Sequence, residues 1–392
     1  MRNSRCFLLT CGVLASTLAS GAGADDEESV PIWIRVEVTV PAEPPVQTEP
    51  RIVEGMIRAE AADGGLLIEQ ADGRLELFQP DAIVARTAIT PPTSRETPQE
   101  LGRRILGELP AGFDLLVTKH YVVCFDTSRQ YAQWVAAVFE RLHDAFVNFW
   151  SRAGFEIRQP DRPLVVVIFS DRRRYEEHAV RDLGAATEQV VGYYNMLSNR
   201  VTTFDLTGAE SLQTLAQPYG RPRLDLLTRP EAAALVATLV HEGTHQLAFN
   251  GGLHQRLAPV PLWVCEGVAA YFEAPDLASP RGWRAIGGTN QPRRDQFLQL
   301  PDRGWLEPLL RDDQAFRSPN AATQAYARAW AVTAYLMKTK KTAFTHYVRG
   351  LSEKGPCTAD SGDQRLEEFA AAFGRPDAAM EQAVAAFVAR MR

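Results

Sequence analysis

Thr228-Arg-Pro-Glu231-Ala-Ala-Ala-Leu-Val-Ala-Thr-Leu-Val-His241-Glu242-Gly243-Thr244-His245-Gln246-Leu-Ala-Phe-Asn250-Gly251-Gly252 is the stretch on which the reading of this chain turns. Both ends of a helix are specified in it. Thr228 and Glu231 stand at capping-box spacing and Pro230 suits a first helical turn, while Asn250-Gly251 suits a left-handed termination. The predicted helix, near 229–249, carries His-Glu-x-x-His in its interior. A step of four residues advances about 400° around an α-helix, so His241 and His245 project from one face a turn apart, close enough to share one metal ion. Glu242 lies beside them, within reach of a water on that ion. Two histidines and a glutamate can also be plain polar groups at a helix edge. In a chain with seven histidines, the spacing on a helix capped at both ends weighs against that.

Working outward, the next segment is Pro261-Leu-Trp-Val-Cys265-Glu266-Gly267-Val-Ala-Ala-Tyr271-Phe-Glu273, predicted helical near 263–273. Gly251-Gly252 and the run Pro259 to Pro261 supply a turn, so this helix returns antiparallel to the first and brings Glu266 opposite the histidine pair. Two neutral imidazoles, a carboxylate and an open position make up the arrangement of hydrolytic zinc sites. Cys265 is a softer alternative one residue away. On a helix it points about 100° from Glu266, so only one of the two can face the metal, and Cys265 otherwise reads as a buried structural thiol.

The start of the chain reads as a secretory leader: Met1-Arg-Asn-Ser-Arg5, an apolar run from Cys6 to Ser20, then Ala22-Gly23-Ala24 before Asp25-Asp26-Glu27-Glu28. With 1–24 removed, three cysteines remain, Cys124, Cys265 and Cys357, which allow at most one disulfide and offer no CxxC metal spacing. The 392 residues carry 42 Lys+Arg against 48 Asp+Glu, a net charge of -6, which leaves no basic field for nucleic acid or an anionic membrane. No later apolar run is long enough to span a bilayer. Residues 25–98 read as a small antiparallel β module with proline-rich linkers: a strand at Trp33 to Val40, prolines from 41 to 50, strand-length pieces from Ile52 to Thr90 with hairpin turns at Asp63-Gly64 and Asp72-Gly73, and breakers from Pro91 to Pro98. From 99 to 392 a mixed α/β half precedes a mainly helical one. Its expected strands are 121–125, 163–169, 189–194 and 200–206. A long helix carries Tyr131 to Phe149, a short one runs from 172 to 179, and later helices lie near 322–338, 341–353 and 364–390.

His241-Glu-Gly-Thr-His245, a gap of twenty residues, then Trp263-Val-Cys-Glu266-Gly-Val-Ala-Ala-Tyr271-Phe-Glu273 resembles the gluzincin metallopeptidases, in which a glutamate of such a W-x-x-E-G-x-A-x-Y-x-E-like segment completes the zinc site. His120-Tyr-Val-Val-Cys124, Pro163-Leu-Val-Val-Val-Ile-Phe169, Val191-Gly-Tyr-Tyr-Asn195 and Tyr326-Ala-Arg-Ala-Trp330 look like an exported bacterial peptidase-MA-like family first catalogued as a domain of unknown function. The resemblance covers roughly 105–385. It implies zinc on His241, His245 and Glu266, Glu242 as general base, and Tyr326, sixty residues beyond Glu266, as support for the tetrahedral oxyanion. Tyr326 packing in the core beside Trp330 is the other reading. In thermolysin-like members an acidic residue four after the glutamate ligand orients an imidazole; here that position is Ala270, so the orienting group must come from elsewhere.

The expected architecture is α+β: a zincin-like metallopeptidase domain behind a small antiparallel β module, in an exported chain that binds Zn2+ and cleaves peptide or protein substrates. An edge strand ahead of the active helix would pair with extended substrate, with Tyr193 and Tyr194 either lining the cleft or packing in the sheet. The rival expectation is a binding or structural protein in which the metal only joins two halves.

Overall fold

The structure, a computed structural model, describes residues 32–39, 50–92, 95–208, 233–274, 286–301 and 303–391. The leader at 1–24, most of the prolines from 41 to 50 and the capping residues Thr228 and Glu231 lie outside the described residues.

The first unit is a five-stranded antiparallel sheet in the order β4-β3-β2-β1-β5, from β1 (Trp33–Thr39), β2 (Pro50–Glu60), β3 (Leu66–Gln70), β4 (Leu75–Phe78) and β5 (Ile83–Ala88). Alternation along β1 turns Ile34, Val36 and Val38 inward, where they meet Val53, Leu66, Ile68 and Phe78 in a small core of their own. The run at Trp33, read as a strand ahead of a linker, is an inner strand of this sheet, because a 3-10 turn at Pro80–Ala82 sends β5 back to pair with it. Gly64 and Gly73 take the positive φ values, 94° and 86°, that their hairpin turns require.

The second sheet is mixed, in the order β6-β7-β8-β10-β9: β6 (Asp114–Val117), β7 (Tyr121–Phe125), β8 (Leu164–Phe169), β9 (Gly192–Asn195) and β10 (Arg200–Phe204). The three inner strands run parallel and both edge strands antiparallel. All six residues of β8 are buried, which is why it reads as an unbroken Leu-Val-Val-Val-Ile-Phe run rather than an alternating one. Around the sheet stand α1 (Pro98–Glu108), α2 (Arg129–Arg152), α3 (Arg172–Leu183) and α4 (Ala233–Asn250). The sequence reading ends the breaker-rich stretch at Pro98 and names no helix directly after it. Thr97 and Glu100 close a full capping box there, and Pro98 sits at the first helical position, where its missing N–H costs nothing.

The remaining helices are α5 (Leu262–Phe272), α6 (Gln291–Leu298), α7 (Leu306–Arg311), α8 (Gln314–Arg317), α9 (Ala322–Thr339), α10 (Lys341–Ser352), α11 (Gly362–Phe373) and α12 (Ala378–Arg390). The single helix expected over 364–390 is two, because Gly374 ends α11 at a φ of 93° and Pro376 cannot continue it. The chain is thus α+β, an antiparallel sheet first and a helical C-terminal half last. No helix among the described residues is long and apolar enough to cross a membrane.

Two helical glycines fix the helices that carry the site. At Gly243 an added Cβ would come within 2.8 Å of Leu142 Cδ2 and 3.0 Å of Phe139 Cε1, so α4 lies directly on α2. At Gly267 a Cβ would overlap Thr333 Oγ1 and stand 2.8 Å from the Ala329 carbonyl oxygen, so α5 touches the backbone of α9. Gly267→Ala must separate those helices. We expect a stability loss of about 1–3 kcal/mol from overpacking, read as a fall in Tm of several degrees; an unchanged Tm would show that the crossing has slack.

Candidate metal centre

Helices α4 and α5 lie against each other, and α4 packs on β9 and β10. That placement brings three side chains to one point. His241 Nε2 is 2.9 Å from His245 Nε2 and 3.0 Å from Glu266 Oε2, and His245 Nε2 is 3.5 Å from the same oxygen. All three residues are buried, and together they form a group able to hold a metal ion. Cys265, buried on the same helix, is not among the converging donors, and burial holds its thiol well above the ordinary range. Cys124, Cys265 and Cys357 are all free thiols.

The orienting group absent at Ala270 is Glu273. Seven residues beyond Glu266 it recurs on the same face of α5 and sits at the C-cap, where Oε1 lies 2.7 Å from His241 Nδ1. Glu273 is itself held: Asn290 Nδ2 donates to Oε2 at 2.7 Å, and Arg293 reaches Oε1 at 3.0 Å and Oε2 at 3.2 Å. Burial opposes its ionisation, but the Arg293 guanidinium and His241 outweigh that and keep the carboxyl far below the usual carboxylate range. A carboxylate at Nδ1 fixes the proton there and leaves His241 Nε2 a bare lone pair aimed at the other two donors. Burial pushes His245 down, towards the neutral form; at Glu266 the adjoining imidazoles overcome burial and bring the carboxyl to about 2. Two imidazoles and a carboxylate thus converge in a buried site able to hold a metal ion.

Glu242, buried next to His241 and about 100° round the helix from it, reaches β9. Its Oε2 accepts the Tyr194 N–H at 2.8 Å. β9 is the sheet's edge strand. The side chains of Tyr193 and Tyr194 serve the packing: the Tyr193 hydroxyl donates to Asp182 at 2.7 Å, and Tyr194 donates to Asn199 at 2.8 Å while its ring stacks on Phe249. Asn199, in a left-handed conformation, ties the β9–β10 turn to α4, since its Oδ1 accepts from Asn250 at 2.7 Å and its carbonyl from Gln246 at 3.1 Å.

Tyr326 opens α9 against the site, its ring 6.3 Å from that of His241 and 5.6 Å from Phe316, with the Arg293 guanidinium 5.3 Å over its face. His254 is buried beyond the three donors, edge-on to Phe249, and does not join them; His346 is exposed on α10. Sequence reading missed Glu273 as the orienting acid, although its spacing from Glu266 was visible. Nothing in the sequence marked Asn290 or Arg293.

Residues 235–358 match a family described as "Protein of unknown function (DUF1570)". The match covers under a third of the chain, but it takes in His241, Glu242, His245, Glu266, Glu273 and Tyr326. No curated protein matches the chain.

If Glu273 orients His241, Glu273→Gln should weaken metal binding about 10–100-fold, measured by competition with a calibrated chelator. Wild-type affinity in the variant would assign Glu273 to packing alone.

Proposed function

We propose that the chain is a zinc-dependent hydrolase of gluzincin type, acting on peptide bonds through a zincin-like α4–α5 core, and that it works in an exported compartment. The observation that carries this is the convergence of His241 Nε2, His245 Nε2 and Glu266 Oε2, with Glu242 beside them and not among them. The donor edges of 2.9, 3.0 and 3.5 Å suit zinc. With bonds of about 2.0–2.1 Å a tetrahedral ion needs edges of about 3.3 Å. Among the described residues no fourth His, Cys, Asp or Glu joins the group, in keeping with an open position rather than a closed structural site.

Zinc held there would supply Lewis-acid polarisation of the scissile carbonyl and an acidified water. The protein's residues do the rest. His241, locked by Glu273, presents its lone pair in one orientation, and the ionised Glu266 offsets the charge of a dication in a dry pocket. Glu242, its carboxylate aimed by the Tyr194 N–H, would accept a proton from the attacking water and return it to the leaving amine. Tyr326, beside His241, would support the oxyanion.

The test is cleavage of a mixed peptide library by the purified chain with and without a zinc chelator. Cleavage that stops on chelation and returns with added zinc supports the proposal; no cleavage across a broad library would favour the binding or structural reading. With a substrate in hand, Tyr326→Phe should lower kcat by about 10²–10³ with metal content unchanged. A loss of stability without that fall in kcat would return Tyr326 to the core.

A further inference from the structure

The β module touches the second unit through its β3–β4 turn, and that turn lands on the back of the site. Leu75 N–H donates to the Leu197 carbonyl at 2.8 Å, in the turn between β9 and β10. Arg256 gathers three pieces of chain. It lies in the loop joining α4 to α5, the two helices that bear the converging donors. Its Nη1 donates to the Gly73 carbonyl at 2.7 Å and to the Met196 carbonyl at 3.1 Å, and its Nη2 is 3.4 Å from Glu69 Oε1. Both the Arg256 and Glu69 side chains are nearly buried, at 10% and 11% exposure, which sets this contact apart from the module's outer ion pairs, such as Arg86 with Glu60 at 55% and 42%. Arg162 adds a second cation on Glu69 at 3.0 Å, and the φ of 86° at Gly73 favours glycine in the turn.

We infer that the N-terminal β module is a brace for the site, and that Arg256 is the positioning residue through which it acts. The guanidinium's forked donors suit it to hold two carbonyls and a carboxylate at once, which a single ammonium cannot do in one geometry. The element braced is the β9–β10 hairpin, whose Tyr194 N–H holds Glu242 and whose Asn199 is tied to Asn250 and Gln246 of α4. Freed from Gly73, Glu69 and Leu75, the hairpin would keep its own ladder and that of β10 to β8 but lose what fixes its turn. The consequence for hydrolysis rests on the reading of Glu242 as base; the brace itself does not.

The experiment is amide hydrogen exchange, followed by mass spectrometry, on the full-length chain as wild type, Arg256→Ala, Glu69→Gln and Arg86→Ala. We expect exchange in peptides covering 192–199 to quicken about tenfold in Arg256→Ala and less in Glu69→Gln, with peptides of α2 unchanged and Arg86→Ala like wild type. Glu69→Gln decides the matter if Arg256→Ala does not fold. Hairpin exchange at the wild-type rate in the folded variants would overturn the proposal and make the module a passenger. Where a substrate is known, Arg256→Ala should lower kcat with KM little changed; an inactive wild type would count against the hydrolase reading and leave the exchange result standing.

Discussion

Glu242→Gln is expected to lower hydrolysis about 10²–10⁴-fold while leaving metal content and Tm as in wild type. The asymmetry follows from where Glu242 sits. It is outside the converging donors, so the metal does not need it, and its Oε2 accepts the Tyr194 N–H, which a glutamine carbonyl accepts as well as a carboxylate does. The substitution removes a proton acceptor and little else. Wild-type and variant protein should be assayed side by side on a peptide whose cleavage is chelator-sensitive. Equal rates would remove Glu242 as the base even if the metal assignment stood.

Glu266→Gln is expected to weaken metal binding well beyond the 10–100-fold set for Glu273→Gln, because it removes a donor and the negative charge that faces the ion. What remains is two neutral imidazoles around a dication in a buried site. Glutamine preserves volume, so the fold should survive. The measurement is thermal unfolding with and without chelator. Metal that binds only the folded chain stabilises it by mass action, so chelation should lower the wild-type Tm and leave that of Glu266→Gln unmoved. Equal chelator shifts in both proteins would place the ion elsewhere.

The parts of this architecture that were legible in the sequence are those set by local pattern. His241, Glu242 and His245 could be placed on one helix because their spacing matches its period, and Glu266 because a turn rich in glycine and proline sends the next helix back. β7 and β8 were readable as short, wholly apolar runs. What failed locally had local causes: prolines at 91, 92 and 98 masked a capping box at Thr97, and Gly374 with Pro376 divided what periodicity joined. The rest depends on contacts between distant segments. Arg293 reaches Glu273 across twenty residues, and Arg256 meets Gly73 across 183. No period or motif announces such a pair. Even Glu273, two turns from Glu266 on one face, becomes an orienting acid only once α5 is laid against α4.

X-ray absorption at the zinc edge of the zinc-loaded chain tests the open site of two imidazoles and one carboxylate most directly. Zinc on His241, His245 and Glu266 should give a shell of nitrogen and oxygen at about 2.0–2.1 Å, with multiple scattering from two imidazoles and no sulfur. A sulfur contribution at about 2.3 Å, which would bring Cys265 to the metal in place of Glu266, or scattering from more than two imidazoles, would contradict it.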